Sequence, residues 1–267
     1  MKEKIIIDRM RKDFDMVEEE LRKYIKIILS EYKNNINIDV YNTLNNKELL
    51  KWNDNNTVSF IVRENVLYLP KVSYQIFDEL SKLPNYRIRS RVYNYDNYLN
   101  TDTTYYQYIN EVIECGLLPI NYFLESLLHE AMHICGSYGA TPLEEGINEL
   151  KTRELAQKYH INIAAFGYSK EVEIAKYLQE LIGKEIMDSL TFIPKNEKID
   201  FIKEFVGVRQ ADTYDYISKS MSDKVGKYMF DTNDPFEKAQ IYSKINYNNE
   251  LDYIKNIMEN NRCGVIK

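Results

Sequence analysis

Between residues 13 and 32, apolar side chains fall at Phe14, Val17, Leu21, Tyr24, Ile25 and Ile28, with charges in the gaps. Recurrence every three or four residues is the period of an α-helix with one apolar face. The pattern then changes. Residues 42–56 are polar and rich in Asn, and their one apolar run, Leu49-Leu50-Lys51-Trp52, predicts a short helix. Residues 57–63 and 66–69 are dense in β-branched and aromatic side chains and are separated only by Glu64-Asn65, which predicts a β-hairpin. A helix over 74–80, a strand over 86–95 and a helix over 105–115 follow from the same reading.

Helical spacing returns after Pro119, a good first-turn residue. Leu124, Leu127, Leu128, Ala131 and Met132 form an apolar stripe, and Glu125, His129 and His133 form a polar one beside it. Gly136 and Gly139 end this helix. Thr141 then reads as an N-cap, with Pro142 at the first helical position and Glu144 completing a capping box. In the helix so begun, Leu143, Ile147 and Leu150 lie opposite Glu145 and Glu149. Beyond His160 the chain is strongly helical, over residues 170–190, 197–205, 213–227, 235–242 and 251–260. The order predicts an α+β protein. A mixed lobe, residues 1–140, packs a small sheet against the helix after Pro119; a mainly helical lobe, residues 141–267, follows, with a substrate cleft between them.

Composition narrows the class. At 267 residues, 44% apolar and 28% charged, the chain is long enough to bury a substantial core. A net charge of −6 with no basic stripe argues against nucleic acid as the main partner. Only Ile5, Ile6 and Ile7 run together near the start before charges resume, so neither a signal peptide nor a membrane span is expected. Cys115, Cys135 and Cys263 are odd in number and far apart, which argues against a disulfide framework and for a cytoplasmic setting.

The chemistry concentrates in His129-Glu130-Ala131-Met132-His133, which holds two of the three histidines in the chain. Residues four apart on a helix differ by roughly 40° of rotation, so both imidazoles leave one face, one turn apart. That spacing lets two ring nitrogens hold a single Zn²⁺ at about 2.0–2.1 Å. Glu130 projects from nearly the same side, within reach of a water at the metal without ligating it. A catalytic zinc usually takes three protein ligands and leaves one position open. Cys135 fails as the third, because six residues after His129 it lies roughly 240° around the helix. Gly139 stands where one pattern would place a third histidine. Glu144 already has its capping role, which leaves Glu145 and Glu149 either as a solvated face or as groups facing the histidines.

Taken together, His129-Glu130-x-x-His133 and the segment Leu143-Glu144-Glu145-Gly146-Ile147-Asn148-Glu149 resemble the gluzincin metallopeptidases. In that family a second helix after the His-Glu-x-x-His motif supplies a ligand Glu. The segment is similar to the Asn-Glu-Gly run of the aminopeptidase branch, which implies Glu145 as ligand and Glu149 as its neighbouring helper one turn on. Aligned through Asn148-Glu149 instead, as in thermolysin-like enzymes, it implies Glu149. The gap from His133 to this helix is shorter than in either branch, and the Gly-x-Met-x-Asn substrate motif is absent. The likeness runs over residues 119–160 and more weakly to about 192.

The resemblance implies a zincin-like fold, one zinc per chain on His129, His133 and Glu145, Glu130 as general base, and a peptide or protein substrate. Tyr168 and His160 are the side chains considered for stabilising the oxyanion. Two other readings compete: a zincin-fold binding or regulatory protein that holds metal without turnover, and a metal-free helical scaffold. The intact Glu130 argues against the former, since a purely structural site has no use for a base there.

Overall fold

The structure is a computed structural model that describes residues 2–36, 48–53, 61–70, 119–136, 141–163, 168–229 and 244–262. The helices expected over 74–80, 105–115 and 235–242 and the strand over 86–95 lie outside the described residues. The described chain is mostly helical, with a three-stranded sheet. It divides into two units, Met1–Cys135 with Lys158–Ala165, and Gly136–Gln157 with Phe166–Lys267.

In the first unit, helix α1 (Lys2–Glu31) begins well before the expected residue 13. Its apolar stripe buries Val17, Leu21, Tyr24, Ile25 and Ile28, while pairs such as Glu18 and Arg22, 2.7 Å apart, decorate the outer side. That stripe packs against helix α2 (Pro119–Cys135), which carries both motif histidines. Burial of Leu127, Leu128, Ala131 and Met132 follows the apolar stripe read from the sequence.

Strands β1 (Leu50–Asn53), β2 (Ile61–Arg63) and β3 (Val66–Pro70) form a sheet in the order β1-β3-β2. The expected hairpin is present: β2 and β3 are antiparallel, with Arg63 opposite Val66 and Val62 opposite Leu67. Both turn residues have positive φ, 50° at Glu64 and 62° at Asn65. This is the type I′ geometry that matches the twist of a two-residue hairpin, and Asn tolerates it well. Helix α2 packs on β2 and β3, as the small sheet was expected to do.

The run at Leu49–Trp52 corrects the sequence reading. It is not a helix; β1 pairs in parallel with β3, Leu50 opposite Leu67 and Trp52 opposite Leu69. Four residues are too few for periodicity to separate the two states. Pairing decides the matter, since Leu49 and Leu50 are buried and the Leu49 carbonyl accepts from Leu67 N–H at 2.8 Å.

In the second unit, helices α3 (Pro142–Tyr159), α4 (Ser169–Ile182), α5 (Lys184–Leu190), α6 (Lys198–Phe205), α7 (Val208–Met229) and α8 (Asn248–Arg262) surround one apolar core. Leu143, Ile147, Leu178, Ile202, Ile217 and Ile254 are among its members. The single helix expected over 170–190 is two. Gly183, at φ 93°, stops α4 in a conformation that side chains rarely adopt, and its N–H caps the Gln179 carbonyl at 2.9 Å. Gly146 has a different function: a Cβ there would lie 2.5 Å from the Glu171 carbonyl oxygen, so the bare glycine lets α3 and α4 approach.

Candidate metal centre

Helix α2 ends where the sequence places it, at Cys135, with Gly136 in a bend. Cys135 is buried and free, and burial pushes its thiol well above the usual range, so it serves the core. His129, Glu130 and His133 are half-buried. Their helix is held at this end by a residue no motif pointed to: Asn65 Nδ2 donates to the Ile134 carbonyl at 2.6 Å.

The two imidazoles converge. His129 Nε2 and His133 Nε2 are 3.1 Å apart, with ring centroids 4.8 Å apart and planes inclined at 71°. Two Zn–N bonds of about 2.05 Å at a tetrahedral angle would separate the nitrogens by roughly 3.3 Å. The pair is therefore already spaced for one ion. Such binding requires both Nε2 atoms free of hydrogen, with the protons on Nδ1. Glu130 lies about 100° around the helix from His129 and about 60° from His133, beside the ligand face rather than on it.

Among the described residues, His129, His133 and Glu145 form one group whose ligand atoms all lie within 4.8 Å of one another. Two nitrogens and one carboxylate oxygen are a donor set that zinc accepts in hydrolytic sites, with a fourth position left open. The residues fit the metal.

Helix α3 carries Glu145 in its first turn. Thr141 caps it as expected, with Glu144 N–H donating to Thr141 Oγ1 at 3.3 Å. Glu144 itself is more than a capping residue: its carboxylate accepts from Lys198 Nζ at 2.9 Å, and both side chains are buried. Glu149 is buried and accepts from Arg153 Nε at 2.7 Å, while Glu145 stays half-buried. The solvated face considered for this helix is thus absent at Glu149. Helix α3 is buried nearly all round, and even Lys151 is fully covered, 2.5 Å from Asp188 Oδ1 and 2.5 Å from Gln179 Oε1. Burial lowers the Lys151 pKa, although the Asp188 and Glu154 carboxylates oppose it.

The two residues considered for the oxyanion lie at the ends of helices. His160 is an exposed residue at φ 53° just past the end of α3. Tyr168 is the N-cap residue of α4, at φ 61°, and packs against the apolar core. Asn65 and Lys198 escaped the sequence reading because their partners lie 69 and 54 residues away, beyond any local pattern. No helix among the described residues is long and apolar enough to cross a membrane. No family model, curated protein or solved structure matches the chain.

Proposed function

We propose that this chain is a zinc-dependent metallopeptidase of gluzincin type with a zincin-like fold. The observation that carries the reading is the grouping of His129, His133 and Glu145 within 4.8 Å, on helices whose sequence places Glu130 beside the histidines. His129 and His133 hold the ion through Nε2, and Glu145 completes the set through its carboxylate. Zinc bound there supplies an activated water near neutral pH and a Lewis acid for the scissile carbonyl.

Glu130 does the proton work. It accepts the water's proton as the oxygen attacks the carbonyl carbon, then delivers that proton to the amine as the C–N bond breaks. Its place beside the ligand face suits this role, since a base that also bound the metal would lose its basicity. Glu149, one turn after Glu145, packs with Arg153 and steadies the helix that presents the ligand.

The test is Glu130→Gln assayed against a peptide library. The amide keeps shape and zinc content but removes the base, so cleavage falls by about 10²–10⁴-fold. A variant that cleaves at the wild-type rate contradicts the mechanism.

A further inference from the structure

The hydrogen bond from Asn65 to Ile134 joins the hairpin turn to the residue directly after His133. Ile134 lies in the last turn of α2, where the final carbonyls of a helix have no partner within it. A side-chain amide donor satisfies one of them. Because the acceptor is a carbonyl oxygen, only the NH₂ end of Asn65 can meet it.

The rest of the hairpin fixes that amide in place. Glu64 and Asn65 both hold positive φ, and the register on either side of them is set by Arg63 opposite Val66. The same strands pack against α2. Buried Val66 and Leu67 anchor the turn, so the amide is delivered from a rigid element rather than from a free loop. The chain therefore ties the end of the helix carrying both imidazoles to a separate part of the sheet.

We infer that Asn65 is a positioning residue for the metal centre, holding the last turn of α2 so that His133 Nε2 stays within ligand distance of His129 Nε2. The inference rests on the proposed zinc site. It assigns Asn65 no contact with metal or substrate. Its effect passes through the helix backbone, where a small rotation of the last turn would open the 3.1 Å spacing between the two nitrogens.

Asn65→Gly separates this role from that of the turn, since glycine accepts positive φ freely but donates nothing from a side chain. Asn65→Asp is the second variant, of similar shape and also tolerant of the turn, with an acceptor in place of the donor. Zinc affinity is measured by chelator competition, the Co²⁺-substituted visible spectrum reports ligand geometry, and metal-free thermal unfolding checks the fold. Both variants are expected to bind zinc about 10-fold more weakly and to show shifted Co²⁺ bands, with metal-free unfolding still cooperative. Wild-type affinity and an unchanged Co²⁺ spectrum in either folded variant overturn the inference while leaving the metal site standing. A wild-type chain that takes up neither ion overturns the site itself, and the inference with it.

Discussion

Glu149 accepts a hydrogen bond from Arg153 at 2.7 Å and is almost wholly buried, whereas Glu145, one turn earlier, stays half-buried and groups with the two histidines. Glu145→Gln is therefore expected to weaken zinc binding more than Glu149→Gln does. The Glu149 change alters the packing behind the ligand, and such supporting changes cost about 10–100-fold in affinity or activity. Titration of each variant with zinc against a competing chelator reads the order directly. An equal or reversed order moves the ligand assignment to Glu149. At this scale the convergence of His129 and His133 on one helix face and the capping by Thr141 were legible in the sequence. Local spacing carried no information about Lys198 or Asn65, whose roles arise only when distant segments meet.

Helix α3 shows why an element can be read correctly in position and wrongly in surroundings. Its start at Pro142 follows from Thr141 and Glu144, yet the alternation of charged and apolar residues gave no sign that nearly every side would be covered. A buried helix with this many polar groups must pair them internally, and Glu144 with Lys198 is the clearest case. Burial lowers the Lys198 pKa, and the facing Glu144 carboxylate only partly opposes that effect. Lys198→Met removes the buried cation facing the Glu144 carboxylate, which keeps the Thr141 hydroxyl as a donor, and is expected to destabilise the protein by about 3–5 kcal/mol in denaturant unfolding. The double change with Glu144→Leu is expected to recover most of the loss, since replacing a buried pair with apolar groups is often nearly neutral. A double variant as unstable as the single one would show that the pair is not the reason. The β1 error has a related cause: a four-residue run carries no usable period, and its state was set by pairing with β3. The hairpin was legible because two runs rich in β-branched and aromatic residues flank a two-residue gap, and Asn65 tolerates the positive φ found there.

For the molecule as a whole, acid is the informative variable. Burial works against ionisation of Glu250, but hydrogen bonds from Lys224 and Ser220 outweigh it and hold the carboxyl below its usual range. Burial likewise opposes ionisation of Glu154, which Lys184, Gln179 and Lys151 bring down in the same way. With folded values below the unfolded one, the unfolded chain binds more protons through this window, so stability falls as pH falls. The contribution is complete above about 4.3, the unfolded Glu value, and is lost as pH drops through the depressed folded values. Denaturant unfolding of metal-free protein between about pH 3 and 7 is expected to show that decline, and Glu250→Gln to flatten part of it. An unchanged slope in the variant would remove Glu250 from the account.

The central claim is one zinc ion per chain on His129, His133 and Glu145, and elemental analysis with zinc-induced thermal stabilisation tests it most directly. Protein purified without chelator is expected to hold about one equivalent of zinc, with His129→Ala and His133→Ala each abolishing both the metal and the stabilisation. Wild-type protein that carries no metal, and whose unfolding temperature does not move when zinc is added, would contradict it.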